Sequence, residues 1–164
     1  MDAVYLSVGT NLGDRESNLR AAFSMAAWFL HGIRASRVYQ TAPLYVEDQP
    51  AYLNVMIAGM TDLGPFDLLE EIHRIENALG RDRSREKRRG PRPLDIDIVL
   101  YGDLVLNTPA LTIPHPGALE RAFVLVPLLD LAPEARDPLR GVPYRDALEA
   151  VRDQIITPVD MRLE

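Results

Sequence analysis

The feature that most constrains this chain is a seven-residue run, residues 94–100 (LDIDIVL), that alternates with a period of two. Successive side chains of a β-strand point to opposite faces, so the four aliphatic residues at the even positions are predicted to share one buried face. Asp95 and Asp97 then share the other face, about 7 Å apart along the strand. Two like charges on neighbouring positions repel one another, so the strand requires a positive partner at this point.

A strongly basic segment precedes this strand. Residues 81–92 contain seven basic and two acidic side chains, a net charge of +5 in a chain whose net charge is −6. A local concentration of positive charge on an acidic protein indicates an anionic ligand rather than a nucleic-acid surface. The alternative is a charged loop that is simply solvated.

The acidic pair is a candidate metal centre. The chain has no cysteine, so a metal must use oxygen or imidazole ligands, and two carboxylates suit Mg²⁺ or Mn²⁺. An isolated pair could instead face solvent or bind arginines. Because the basic segment ends at Arg92, three residues before Asp95, a polyphosphate site is favoured. Neither glycine-rich phosphate motif, GxxxxGK[ST] or GxGxxG, is present.

The length of 164 residues suits a single domain, residues 1–164. Hydrophobic periodicity predicts strands and helices in the order β-α-β-β-α-β, which is the α+β, ferredoxin-like pattern with helices covering one face of an antiparallel sheet. Asp14 or Ser17 is predicted to cap the first helix. The predicted strands are residues 3–8, 33–40, 52–61, 94–101 and 104–106, and the predicted helices are residues 14–31, 64–80, 120–129 and 144–153.

No apolar run of 18 residues and no amino-terminal signal segment is found in the sequence. We therefore expect a soluble, cytoplasmic protein.

Several polar residues outside the acidic pair are also candidates. Glu76 lies on the polar side of the second helix and could bond to a ribose or a base, or simply be solvated. His115 stands between two prolines, which rigidify the backbone around it. It could contact a phosphate or serve only a structural role. Tyr52 and Asn54 are predicted to point outward from their strand, where an amide suits the edge of a heterocycle.

Taken together, these segments resemble the 6-hydroxymethyl-7,8-dihydropterin pyrophosphokinases of folate biosynthesis. The resemblance covers most of the chain, and the two blocks GPRPLDIDI and PHP…RAFVL are its most specific parts. The segments that carry it are residues 5–13 (YLSVGTNLG), 39–44 (YQTAPL), 48–54 (DQPAYLN), 74–76 (RIE), 80–81 (GR), 90–98 (GPRPLDIDI), 111–115 (LTIPH), 121–128 (RAFVLVPL) and 131–134 (LAPE).

The resemblance implies transfer of pyrophosphate from ATP to the hydroxymethyl group of the pterin, with release of AMP. It implies two Mg²⁺ ions held by Asp95 and Asp97, small-molecule substrates only, no nucleic acid, no membrane and a monomer. The implied catalytic residues are Arg81, Arg92, Asp95 and Asp97. The implied ATP-binding residues are His73, Glu76, Arg83, Ile98, His115 and Arg121. The implied pterin-binding residues are Thr41, Ala42, Leu44, Tyr52, Asn54 and Phe123.

The chain departs from the family pattern in its loops. Arg89 stands where many members have tryptophan, and Ala42 replaces a common proline. Two other functions remain open: a ferredoxin-like binding module, either regulatory or catalytically inactive, and a different nucleotidyl- or phosphotransferase. Release of AMP rather than ADP separates the latter from a pyrophosphokinase.

Overall fold

The computed structural model describes residues 1–42, 50–80 and 93–164. Its strands are β1 Asp2–Thr10, β2 His31–Ala35, β3 Tyr39–Thr41, β4 Tyr52–Thr61, β5 Asp95–Tyr101, β6 Leu106–Asn107, β7 Thr112–Ile113 and β8 Ile156–Pro158. Its α-helices are α1 Arg15–Ala26, α2 Pro65–Ala78 and α3 Ala122–Leu131. Three short 3₁₀ turns cover Ala118–Glu120, Tyr144–Ala147 and Glu149–Val151.

The main sheet is antiparallel throughout, with the strand order β5-β1-β4-β3-β8, and β2 pairs with the far end of β4. The small β6–β7 ladder forms a separate sheet. The predicted α+β, ferredoxin-like arrangement is therefore confirmed, and β1 lies between β4 and the strand that carries the acidic pair.

The predicted second strand, residues 33–40, is in fact two strands separated at Ser36. The Ser36 hydroxyl accepts a hydrogen bond from the backbone N–H of Met56 at 2.9 Å, and the Ser36 N–H donates to the Met56 carbonyl at 2.9 Å. A side chain thus takes the place of a backbone group in the ladder, which ends β2 and lets β3 start afresh along β4. Periodicity cannot reveal such a break, because it depends on a partner twenty residues away.

Helices α1 and α2 cover one face of the sheet. Their apolar residues join inward residues of β1, β4 and β5 in the larger hydrophobic cluster, with Leu19 and Ile72 fully buried. Asp14 caps α1 by accepting the Ser17 N–H at 3.1 Å, as predicted. The helix ends at Ala26 rather than near residue 31, because a turn follows and His31 already begins β2.

The other face of the sheet is also covered, which corrects the prediction of helices on one face only. Helix α3 and the 3₁₀ turns near Tyr144 pack against Met56, Val99 and Leu100 in a second hydrophobic cluster. Because α3 is apolar almost all round, it is buried between the sheet and the carboxyl-terminal turns.

A β-bulge at Val99 explains how β5 serves both clusters. In the pairing of β1 with β5, Leu6 lies opposite Ile98 while its neighbour Tyr5 lies opposite Leu100, so Val99 is the extra residue. The alternation predicted for the whole run holds up to Ile98 and then reverses. Leu100 therefore belongs to the second cluster, and the prediction that it shares the face of Ile98 is wrong.

The carboxyl-terminal third departs most from the sequence-based prediction. The short strand is Leu106–Asn107 rather than residues 104–106. It pairs with β7, which lies outside all the predicted strands and helices. The third helix is shifted by two residues relative to 120–129, and the predicted helix 144–153 is two 3₁₀ turns. Strand β8, which no pattern indicated, extends the sheet beyond β3.

Among the described residues, no helix has both the length and the apolar character needed to cross a lipid bilayer.

The buried tyrosines Tyr144 and Tyr101 provide a stability test. Among the described residues, the Tyr144 hydroxyl is buried without a hydrogen-bond partner, whereas the Tyr101 hydroxyl donates to the Leu63 carbonyl at 2.6 Å. Tyr144→Phe is therefore expected to raise the free energy of unfolding by about 1 kcal/mol, because a buried unsatisfied group is removed. Tyr101→Phe is expected to lower it by about 1 kcal/mol. Urea unfolding of both variants checks this, and destabilisation by Tyr144→Phe would contradict it.

Candidate functional site

The acidic pair lies at the edge of the sheet, where the pairing register determines its surroundings. Asp95 is opposite Gly9 and Asp97 is opposite Ser7 on β1, and both carboxylates are only partly buried. Residues directly opposite each other in an antiparallel pair project to the same face, so the predicted shared face is confirmed. The same register continues to β4, where Gly9 is opposite Asn54. A row from Asp95 through Gly9 to Asn54 therefore crosses the sheet.

Gly9, in the middle of this row, has no side chain to stand between Asp95 and Asn54. A Cβ at this position would lie 3.1 Å from the Asn54 amide oxygen and 3.5 Å from the Tyr52 ring. Gly9 is itself buried, so the absence of a side chain there leaves room for the Asn54 amide and the Tyr52 ring.

The amide of Asn54 does not point outward into solvent as predicted. Asn54 is 3% exposed, and its Nδ2 donates to the hydroxyl of Thr41 on the neighbouring strand β3 at 2.7 Å. Thr41 is itself buried. The structure thus brings together two of the residues that the family resemblance implies for the pterin, while Tyr52 beside them is half-buried.

His115 faces the acidic pair from the loop after β7. Its Nδ1 accepts the Gly117 N–H at 3.1 Å, so the proton of the neutral imidazole is on Nε2. That Nε2 lies 3.7 Å from Asp97 Oδ2. Burial lowers the pKa of His115, the Arg121 charge lowers it further, and Asp95 partly opposes both effects. A neutral imidazole with its N–H directed towards the carboxylates is the resulting form at neutral pH.

Glu76 is buried, with its carboxylate against β5, rather than exposed on the surface of α2. It is 1% exposed, and its Oε2 accepts the backbone N–H of Ile96 at 3.0 Å. Within the described part of the chain, β5 is the last strand in the sheet order and one of its edges has no strand partner. The Glu76 carboxylate accepts the Ile96 N–H in place of one. Helix α2 thereby holds the strand that carries Asp95 and Asp97.

Arg121 and Phe123 lie at the start of α3. The guanidinium carbon of Arg121 is 5.8 Å from the centroid of the Phe123 ring, and both side chains are half-buried. A Cβ on Gly117 would come within 2.8 Å of Arg121 Nε and 2.9 Å of its Cζ. The guanidinium therefore rests in the space that the absent side chain of Gly117 leaves.

The other predicted site residues are distributed less closely. Ile98 is buried in the larger cluster, so only its backbone could reach a ligand, while His73 on α2 and Ala42 after β3 are exposed. Arg81, Arg83, Arg92 and Leu44 lie outside the described residues, as does the rest of the basic segment.

Several polar residues near the site were missed by the sequence reasoning. The Thr10 hydroxyl and the Asn18 Nδ2 both donate to the Pro93 carbonyl, the latter at 3.1 Å, and Arg15 Nη1 donates to the Ala51 carbonyl at 2.8 Å. They hold the chain next to β5 and β4 against the first loop. A polar residue at the very end of a strand, as at Thr10, which the structure buries, is the one signal that could have indicated them.

The fold and this arrangement define an antiparallel α+β domain in which an acidic pair, a neutral imidazole and a guanidinium group meet at one end of the sheet. Among residues 1–42, 50–80 and 93–164 there is no group of three or more histidine, cysteine, aspartate or glutamate side chains arranged to hold a metal ion by themselves.

Comparison with known proteins identifies the family. Residues 5–133 match the family described as 7,8-dihydro-6-hydroxymethylpterin-pyrophosphokinase (HPPK). A Bacillus subtilis protein named 2-amino-4-hydroxy-6-hydroxymethyldihydropteridine pyrophosphokinase is 42% identical over 133 residues, covering 77% of this chain and 76% of that protein. The chain therefore belongs to the HPPK family.

Longer relatives contain the same unit as one part. The Folic acid synthesis protein fol1 of Pneumocystis carinii is 41% identical over 96% of this chain, which spans 21% of that protein. The mitochondrial Folate synthesis bifunctional protein of Pisum sativum is 42% identical over 83% of this chain and 26% of its own length. The crystal structure of Plasmodium falciparum HPPK-DHPS with pteroate has a TM-score of 0.73, with 17% identity over 91% of this chain and 42% of its own, and supports the fold.

The Asn54–Thr41 bond can be tested by a single substitution. Thr41→Val replaces the acceptor hydroxyl by a methyl group of similar size and leaves the buried Asn54 amide without its partner. We expect the free energy of unfolding to fall by about 1–3 kcal/mol. Thr41→Ser, which keeps the hydroxyl, serves as the control and should lose less. Equal losses in the two variants, measured by urea unfolding, would show that the bond contributes nothing.

Proposed function

We propose that this chain transfers the pyrophosphoryl group of ATP to the hydroxymethyl group of 6-hydroxymethyl-7,8-dihydropterin, a step in tetrahydrofolate synthesis. The observation that carries the proposal is the family match over residues 5–133, together with the paired carboxylates on β5. In this reaction the hydroxyl oxygen attacks the β-phosphorus of ATP and the bond to the α,β-bridging oxygen breaks. AMP leaves with that electron pair, and we assign the released hydroxyl proton to Asp97.

The residues around β5 suit a hard cation. Asp95 and Asp97 offer oxygen ligands on one face, and Mg²⁺ typically takes one or two carboxylates together with substrate phosphates and water. We assign the two carboxylates to two Mg²⁺ ions; when bound, such ions neutralise the phosphate charge that repels the attacking oxygen.

The imidazole and the guanidinium group supply the remaining phosphate contacts. The Nε2–H of His115 is directed towards Asp97 across 3.7 Å, a separation too long for a hydrogen bond between them. A phosphate oxygen seated beside the carboxylates is thus able to accept this N–H. Arg121 adds a positive group on the same side, close enough that its charge lowers the pKa of His115. Arg81, Arg83 and Arg92 are proposed phosphate ligands on the basis of the family resemblance alone.

The pterin is assigned to the end of the sheet near β3 and β4. We assign its polar edge to Asn54 and Thr41, which are bonded to one another beside Gly9. Tyr52 and Phe123 supply aromatic faces, and an offset stack on a heterocycle contributes about 0.5–1.5 kcal/mol beyond burial. Ala42 and Leu44 complete the proposed pterin set, and His73, Glu76 and Ile98 the proposed ATP set.

We also propose that residues 1–164 act as a single domain and a monomer in the cytoplasm. Both hydrophobic clusters share the one main sheet, which supports a single folding unit. Sedimentation of the purified chain tests the monomer, since several relatives carry this unit within longer proteins.

The product decides between the proposed reaction and its alternatives. Incubation of the chain with ATP, Mg²⁺ and the hydroxymethyl dihydropterin is expected to release AMP and form a pterin diphosphate, both resolved by anion-exchange chromatography. Release of ADP would indicate a different phosphotransferase. A folded chain without turnover would indicate a binding module.

A substitution in the acidic pair tests its assigned role. Asp97→Asn removes the charge and one oxygen ligand from a half-exposed side chain, and we expect kcat to fall by about 100-fold or more. The midpoint of thermal unfolding should change little, because the site face is open at this position. Asp103→Asn, at an exposed aspartate in the turn after β5, is the matched control and should retain activity. Near-normal turnover in Asp97→Asn would refute the assignment.

A further inference from the structure

The side-chain amide of Gln154 forms hydrogen bonds with the backbone on both sides of Arg121. Its Oε1 accepts the N–H of Ala122 at 2.9 Å, and its Nε2 donates to the carbonyl of Glu120 at 2.8 Å. The two backbone groups belong to the residues directly before and after Arg121. A side-chain amide can satisfy both groups at the same time, because its oxygen accepts and its nitrogen donates.

The start of α3 requires such a partner. The first N–H groups of a helix lack acceptors within the helix, and a side chain at the N-cap position commonly supplies one. Here the N-cap is Arg121, whose guanidinium has only donors and cannot cap. Gln154 supplies the acceptor for Ala122 from 32 residues further along the chain.

The direction of the Arg121 side chain depends on this junction. Arg121 joins the 3₁₀ turn Ala118–Glu120 to α3 in an extended conformation, with φ −130° and ψ 112°. Rotation about either flanking peptide would swing the guanidinium away from Gly117 and from His115. The bonds from Gln154 oppose that rotation on both sides. At the peptide that follows Arg121 they add to the helix, because the Arg121 carbonyl accepts the N–H groups of Val124 and Leu125.

The segment that follows Gln154 also pairs with β3, on the side of the site to which the pterin is assigned. Two residues later β8 begins, and Ile156 pairs with Thr41, the residue that holds Asn54. Residues 134–164 lie beyond the part of the chain that the family model matches, so that match does not itself include this support.

We propose that Gln154 is a positioning residue for ATP, which holds Arg121 in the orientation that binds phosphate. The proposal rests on the proposed function, because it takes ATP as the ligand of Arg121. Gln154 itself contacts only backbone, so it acts through Arg121 and not on the substrate. Its loss should weaken ATP binding while the chemical step, carried by the groups on β5, is retained.

The test compares three variants in steady-state kinetics with both substrates varied. In Gln154→Ala the KM for ATP is expected to rise by about fivefold, the factor that corresponds to one net hydrogen bond, with kcat within about twofold. The KM for the pterin should change less. Gln154→Glu keeps the acceptor for Ala122 but loses the donor to Glu120, so its KM for ATP should lie between those of the parent chain and Gln154→Ala. Asp153→Ala truncates the neighbouring exposed side chain and should leave both KM values unchanged.

Two outcomes would overturn the positioning role. One is an unchanged KM for ATP in Gln154→Ala, and the other is an equal rise in both KM values together with a lower unfolding temperature, which would indicate general loosening. Amide hydrogen exchange at Ala122 gives a readout independent of turnover, since loss of the acceptor should speed it by about fivefold. If the parent chain itself releases no AMP, the proposed function fails. In that case, unchanged exchange at Ala122 in Gln154→Ala would also refute the proposal that Gln154 holds this part of the backbone.

Discussion

The antiparallel pairing of β1 with β5 is the interaction on which the site depends. It sets Asp95 opposite Gly9 and Asp97 opposite Ser7, and through β1 it connects the carboxylates to Asn54 on β4. The bulge at Val99 then turns the last residues of β5 over, so that one strand contributes to both hydrophobic clusters. A regular strand would have left Leu100 on the face of α1 and α2 and removed it from the packing of α3. The end of β5 that carries Asp95 and Asp97 can stay open, because the other end of the strand packs into both hydrophobic clusters.

The anchoring of this end of the sheet is polar rather than apolar. Glu76 takes the N–H of Ile96, Asn54 is bonded to Thr41, and Pro93 is held by Thr10 and Asn18. Buried hydrogen bonds add only about 1 kcal/mol each to stability, but an unsatisfied buried partner costs more, so such groups define a single arrangement. A site for a highly charged ligand gains from this, because preorganised groups do not have to move when charge develops.

The sequence predicted the parts of this architecture that depend on local pattern. The β-α-β-β-α-β order along the chain, both main helices and the shared face of Asp95 and Asp97 follow from periods of 2 and 3.6. The Asp14 cap follows from its position before α1. The predictions are wrong where a residue distant in the sequence determines the local structure. Ser36 breaks a strand through Met56, Asn54 is buried because Thr41 lies beside it, and Leu100 changes face because of the register with β1. Tertiary bonds of this kind have no local signature. The partners of Gln154 are 32 and 34 residues away, and Pro93 is 83 residues from Thr10.

Gly117 connects the imidazole and the guanidinium group of the site through its backbone alone. Its φ of −92° and ψ of 0° are open to other residues, so the backbone conformation does not demand glycine. What demands it is space, because Arg121 Nε would be 2.8 Å from a Cβ. The same residue's N–H fixes the tautomer of His115 by donating to Nδ1. One residue without a side chain therefore sets which imidazole nitrogen carries the proton and where the neighbouring positive charge rests. Gln154 bonds to the backbone on either side of Arg121, so the neutral imidazole and the guanidinium group of the site are both oriented by contacts with backbone groups.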